Sequence, residues 1–330
     1  RDSMGFYIPL ELLPIRMEYV KDVVWRRKMS VRDLVEALGS VGFQATELHK
    51  AAKIMVKMKS EGAKVILTFT SNMGTSGLRG LFAQLVKLGL VDVLITTAGA
   101  LEEDVMKALG ERFYIHRFSA DDIELHELGM NRVGNVLISN DSYARFEAFI
   151  TRLIEEIYPS KRSLTVSEFL REVGLRLNDE NSFLYQAARR EVPVFCPAIT
   201  DGALGFHLFM ARERHPDFGV DVVGDFGRMI LTLSQEDRKG VIALGGGVSK
   251  HHAILMTLLS GGADYAIYIT TSTQFSGSMS GATTSEAKSW GKIKDDSDSV
   301  TVIGDATILF PLVAFYAIEE LVERGLLKVS

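Results

Sequence analysis

Val241-Ile242-Ala243-Leu244-Gly245-Gly246-Gly247-Val248-Ser249-Lys250-His251-His252 decides the fold of this 330-residue chain. Four apolar residues in a row read as a short buried strand. Three glycines then turn the backbone, and an apolar helical stretch runs on to Leu259. Strand, glycine turn and helix together aim backbone N–H groups and a helix N-terminus at an anion. The spaced dinucleotide fingerprint GxGxxG is absent, so the three glycines alone equally describe a tight turn of any α/β fold.

The same alternation extends outward along the chain. Helical periodicity covers about 31–59, 76–90, 101–109, 120–129, 142–158, 166–190, 219–235 and 307–326. Between them lie β-rich runs at Lys64–Thr70, Val91–Thr96, Val192–Cys196, Val241–Leu244, Tyr265–Ile269 and Val300–Ile303. This predicts an α/β fold, a Rossmann-like, mostly parallel sheet with helices on both faces. Residues 1–35 read as an N-terminal helical arm and 36–330 as a single domain. Ser71-Asn72, Thr97-Ala98-Gly99, Asp201-Gly202, Gly245–Gly247, Thr271 and Asp305-Ala306 each fall just after a strand, where ligands of open α/β sheets bind. These runs are short and hold Asn, Asp and Thr rather than the Lys and Glu of ordinary polar loops.

Composition narrows the function. The net charge is −5 and 47% of residues are hydrophobic. Basic tracts are limited to Trp25-Arg26-Arg27-Lys28, which disfavours nucleic acid. No apolar run approaches the ~18 residues of a membrane span, and no signal peptide is recognisable. Cys196 is the one cysteine. It excludes an internal disulfide and a cysteine-rich zinc site, no metal is expected, and a reducing, cytoplasmic setting follows.

A second segment carries chemistry. Phe275-Ser276-Gly277-Ser278-Met279-Ser280-Gly281 is too rich in Gly and Ser for a packed helix, and Glu286 and Ser289-Trp290-Gly291-Lys292 follow it. A lysine attacks carbonyls and imines only as the neutral amine, which burial or a neighbouring charge secures. A lysine beside a tryptophan is otherwise a solvated residue next to a core residue.

Taken in order, these stretches resemble deoxyhypusine synthases. Further matching segments are Gly42-Phe-Gln-Ala-Thr46, Thr70-Ser71-Asn72, Glu102-Glu103-Asp104, Asn131-Arg-Val-Gly-Asn135, Pro197-Ala-Ile-Thr-Asp201-Gly202, Gly262-Ala-Asp-Tyr265 and Phe310-Pro311. They span about residues 30 to 315. The resemblance implies an NAD-dependent aminobutyl transfer from spermidine, a polyamine, through an enzyme-lysine imine to a lysine of the precursor of translation factor 5A, in a homotetramer. It implies Lys292 as the nucleophile and His251 as the proton shuttle, with Trp290, Glu286, Glu102, Gly277 and Ser278 at the substrate. It places NAD on Ser71, Asn72, Thr75, Thr97, Ala98, Gly99, Glu103, Asp201, Gly246, Thr271, Ser272, Asp305 and Ala306. A carboxylate at Glu103 would favour NAD over NADP by repelling a 2′-phosphate. Three positions depart from the family pattern: Phe206 and Met279 stand where it has acids that anchor the polyamine, and Leu255 where it has Asn. The departures leave open another donor or a small-amine acceptor, as in homospermidine synthases, or an NAD-binding subunit that assembles with an active partner.

Overall fold

A computed structural model of the chain describes residues 18–329. Six parallel strands form the central sheet: β1 (Lys64–Phe69), β2 (Val93–Ile95), β3 (Val194–Phe195), β4 (Lys239–Leu244), β5 (Ala263–Thr270) and β6 (Ile293–Ile303). Their spatial order is β6-β5-β4-β1-β2-β3. Read from the other edge this is 3-2-1-4-5-6, the order of dinucleotide-binding folds, with the direction of winding reversing between β1 and β4. The expected Rossmann-like architecture is therefore present, and the quoted stretch is β4 and the turn after it.

The two cores explain why the strands read as unbroken apolar runs. Val65, Leu67 and Phe69 of β1 join Ile242 and Leu244 of β4 in one core, where Phe69 stacks on Phe82 at 4.3 Å. The helices Phe43–Ser60, Arg79–Lys87, Ala98–Ala108 and Ala306–Glu323 cover that face. Ile66, Val241 and Ala243 face the other way, toward a smaller core under Val222–Thr232, Gly247–Leu259 and Thr284–Ser289. Among the described residues no helix is long and apolar enough to cross a membrane.

Several boundaries differ from the sequence reading. The helical stretch at 31–59 breaks at Gly39–Gly42 into Val31–Leu38 and Phe43–Ser60, Gly42 adopting φ +96°. The stretch at 166–190 is two helices, Val166–Leu175 and Phe183–Arg189. β6 starts at Ile293 rather than Val300, because its first half is the polar run Lys294–Ser299, suited to an exposed edge. Helix Ala203–Arg214 has no single apolar stripe, since Leu204 and Ala211 are buried while Phe206 and Phe209 are exposed. Short strands at Tyr114–Ile115, Met130–Val133 and Val136–Ser139 form an antiparallel sheet beside the main one. In the arm, residues 18–30 carry no helix and Val31–Leu38 is the first described one, opened by a Ser30–Asp33 capping box; residues 1–17 lie outside the described residues.

Asp104 fixes the helix Ala98–Ala108 in place. It is fully buried, accepts from Arg79 Nε at 2.5 Å with one oxygen, and from Ser182 Oγ at 2.7 Å and Leu184 N at 3.0 Å with the other. Arg79 also donates to Asp179. Removing one partner of such a pair leaves an uncompensated buried charge. Asp104→Ala is expected to lower unfolding free energy by about 3–5 kcal/mol in a guanidinium melt. A loss below about 1 kcal/mol would show that the network does not hold this helix.

Candidate active site

The residues assigned above to a dinucleotide share one edge of the sheet. Ser71, Asn72 and Thr75 follow β1, and Thr97, Ala98, Gly99 and Glu103 follow β2. Asp201 follows β3, Gly246 follows β4, Thr271 and Ser272 follow β5, and Asp305 and Ala306 follow β6. Ser71 Oγ and Thr97 Oγ1 are 2.5 Å apart, bridging the ends of β1 and β2. A Cβ on Gly99 would lie 2.8 Å from Ser71 Oγ, so glycine lets these two turns meet. Asp305 caps the helix Ala306–Glu323 by accepting from Thr307 N at 2.8 Å.

Two buried glutamates serve this edge differently. Glu102 accepts from Leu204 N at 2.8 Å and so caps the helix Ala203–Arg214; burial pushes its pKa up. Glu103 accepts from Thr75 Oγ1, and burial pushes its pKa up to about 7, with the Thr75 bond and the Lys107 charge opposing. Lys107 donates to the carbonyls of Gly74, Thr75 and Ser76, and burial pushes its pKa down to about 8.

The second group lies on a face of the sheet rather than at its edge. Lys250, His251, Ile254, Tyr268, Gly277, Met279, Glu286, Trp290 and Lys292 line a cavity of about 310 Å³. Lys292 immediately precedes β6 and is 8% exposed, with its Nζ 5.2 Å from the Trp290 ring centroid. The Trp290 face thus lies beside the Lys292 amine, and Trp290 itself is 66% exposed. Glu286 sits on the helix Thr284–Ser289, whose N-cap is Thr283. His251 lies on Gly247–Leu259, and burial first and the Lys292 charge second lower its pKa, which leaves it neutral at pH 7. His252 faces Phe226 at 6.0 Å, and burial pushes its pKa down to about 4.

The structure therefore brings Lys292, His251, Trp290, Glu286 and Gly277 together, with Ser278 adjoining, and separates Glu102 from them. It also places Phe206 outside the cavity, 58% exposed on its helix. Among the described residues no hydrogen bond or ion pair joins the two groups directly. They meet through Ser280, whose Oγ accepts from Gly247 N at 3.2 Å. The sequence reading missed Lys250 and Tyr268. A lysine inside an otherwise apolar helical stretch was the available signal for the first.

The deoxyhypusine synthase family matches residues 33–317 of this chain. A protein from Aeropyrum pernix described as a probable deoxyhypusine synthase is 43% identical over 303 residues, covering 91% of this chain and 98% of its own. The deoxyhypusine synthase of Kluyveromyces lactis is 37% identical, covering 87% of each chain. An Entamoeba histolytica crystal structure assigned to the same activity superposes with a TM-score of 0.62 at 28% identity, covering 90% of this chain and 96% of that one.

Glu103 gives the fold a pH dependence. Its folded pKa of about 7 lies above the ordinary value of 4.5, so its stabilisation is complete below about pH 4.5 and is lost as pH rises through 7. Lys107 acts in the opposite sense and only above about pH 8. Glu103→Gln is expected to gain about 1–3 kcal/mol over wild type on going from pH 5 to pH 7.5. Parallel denaturant melts at both pH values check this; a difference independent of pH would mean that Glu103 ionises freely.

Proposed function

The chain belongs to the deoxyhypusine synthase family and is an aminobutyltransferase, and on that premise we propose that it moves the butylamine of spermidine through an imine on Lys292 to a lysine of the precursor of translation factor 5A. The observation that carries this reading is the buried Lys292 amine in one cavity with His251, Glu286 and Trp290. Imine chemistry needs a neutral amine, and a buried site limits the water that would hydrolyse the imine.

The chain's own groups account for the transfer. Lys292 Nζ attacks the imine carbon of the dehydrogenated donor and forms a new C–N bond. Neutral His251 takes the proton released from Nζ and delivers it to the departing diaminopropane nitrogen as that C–N bond breaks. The acceptor lysine then repeats the exchange, and Lys292 leaves as the free amine. Glu286 at the rim pairs with a donor ammonium, and the exposed Trp290 ring offers cation–π attraction worth about 0.5–2 kcal/mol.

NAD, when bound, would supply the hydride chemistry by which the donor amine is oxidised and the product imine reduced. The sheet edge fits such a group. The switch point between β1 and β4 carries the hydroxyls of Ser71 and Thr97, and a Cβ on Gly247 would meet nothing within 4 Å, so the backbone there is open to an approaching phosphate. Asp201 and Glu103 would anchor ribose hydroxyls, and Thr75, Thr271, Ser272, Asp305 and Ala306 would complete the crevice. An ionised Glu103 would disfavour the 2′-phosphate of NADP.

We further propose a single catalytic domain over 36–330, a homotetramer and a cytoplasmic location. Exposed Phe206, Phe209, Val223 and Leu231 offer apolar surface for assembly. A second reading, another amine donor or acceptor, is favoured by Met279 in the cavity wall.

Incubation with NAD and spermidine, then borohydride, is expected to fix a butylamine-sized adduct on Lys292, seen by peptide mass. Lys292→Ala should abolish the adduct and leave NAD affinity within about twofold. Persistence of the adduct in that variant would take the nucleophile's role from Lys292. Calorimetric titration is expected to show NAD binding more tightly than NADP at pH 8, and equal affinity would remove Glu103 from the ribose site.

A further inference from the structure

A second concavity lies at the other end of the sheet. Lys59, Gln84, Lys87, Arg190 and Lys328 line a cavity of about 410 Å³ in which no lining residue is a carboxylate. Leu88, Leu326 and Leu327 form its apolar side. The four cations come from four separate segments. Lys59 is in the last turn of Phe43–Ser60, Lys87 ends Arg79–Lys87, Arg190 caps Phe183–Arg189 and Lys328 follows Ala306–Glu323. The first three segments lead into the amino ends of β1, β2 and β3, while dinucleotide candidates follow the carboxyl ends of the same strands. The length of β1 separates the two ends by about 20 Å.

A cation at a helix C-terminus offsets the helix dipole, which accounts for Lys59, Lys87 and Arg190 one at a time. It does not account for their convergence with Lys328 on one cavity. Each helix end carries about −0.5 charge, so the four ends and Glu180, paired with Lys87 at 2.8 Å, still leave the cavity positive. Lys59 Nζ reaches a neutral acceptor, the Gly89 carbonyl, at 2.8 Å. Among the described residues the side chains of Arg190 and Lys328 have no hydrogen-bond or ion-pair partner.

We propose that this cavity is a second anion site, which takes a polyphosphate chain with Arg190 and Lys328 as its main contacts. A guanidinium offers two parallel N–H donors to one phosphate, and lysines act on the neighbouring phosphates as point charges. The volume falls in the range of small-ligand sites, roughly 300–1,000 Å³. A single phosphate neutralises only part of a cluster drawn from four segments, so a longer chain binds more tightly. Free polyphosphate and a nucleoside triphosphate share this chemistry, and the leucine side suits the base of the latter.

Titration calorimetry of the intact protein in magnesium-free, low-salt buffer uses tripolyphosphate, monophosphate and ATP as probes. Tripolyphosphate is expected to bind roughly 10-fold or more tightly than monophosphate, and saturating NAD should leave that affinity within about twofold. Arg190→Gln and Lys328→Gln should each weaken it roughly 10-fold, the range of one charge-assisted hydrogen bond. Arg152→Gln removes the same charge from the exposed side of Asn140–Ile157 and should change the affinity less than about twofold. ATP binding more tightly than tripolyphosphate assigns the leucine side to the base, and ATP binding no more tightly assigns the site to free polyphosphate; both uphold the site. Equal losses in Arg152→Gln and Arg190→Gln reduce the effect to net charge, and displacement by NAD moves the anion to the dinucleotide crevice. Either result, or no binding of tripolyphosphate, overturns the inference.

Discussion

The approach of Ser280 to Gly246 is the constraint on which the rest of the site depends. A Cβ at position 246 would lie 2.3 Å from the Cα of Ser280, so the segment carrying Ser280 packs on the β4 turn only because that residue is glycine. The neighbouring Gly247 N–H donates to Ser280 Oγ, and one helical turn further Lys250 seizes the carbonyls of Met279 and Ala282. Three contacts from one turn of chain thus clamp the Gly/Ser-rich segment over the carboxyl end of β4. The same segment is a wall of the Lys292 cavity. The glycines at the switch point therefore do two jobs. They leave backbone open at the start of a helix, and they couple that crevice to the Lys292 cavity.

Helix geometry sorts the three consecutive acids that follow β2. Successive residues of an α-helix point about 100° apart. Glu102, Glu103 and Asp104 consequently reach the N-terminus of Ala203–Arg214, the Thr75 hydroxyl and the Arg79 guanidinium. The first closes a helix end, the second is left with a carboxyl near its neutral form, and the third anchors the helix itself. Their environments, not their identity, give them different roles. Charge is arranged as deliberately on the opposite face, where Lys250 trades an ionic partner for two carbonyls and an aromatic ring.

Much of this was legible in the sequence. The apolar runs of β1 and β4 and the glycines after β4 announced the sheet, because buried parallel strands must be apolar on both faces. The clustering of polar residues after strands put every dinucleotide candidate at one and the same end of the sheet. Other features were hidden for physical reasons. The first half of β6 is charged because it is an edge strand, and Ala203–Arg214 lacks an apolar stripe because parts of two of its sides are exposed. The burial of Lys250 depends on carbonyls some thirty residues away, which no local pattern reveals. The face-on position of Lys292 likewise follows from the path of the segment between β5 and β6, not from the residues of its own motif.

Phe206 and Met279 show why the distinction between motif and place matters. In the sequence they look like one change, two apolar residues where a polyamine site would have acids. In the structure they part: Met279 lines the Lys292 cavity, while Phe206 stands on a helix whose N-terminus is capped by Glu102 at the other group of residues. A side chain that lines a cavity acts on whatever enters it. One that is more than half exposed acts on a ligand only where a further surface closes over it. Met279 therefore faces the Lys292 cavity within the single chain, whereas Phe206 is enclosed only where assembly covers it. The two substitutions are separate physical questions, and only the first concerns a wall that this chain builds alone.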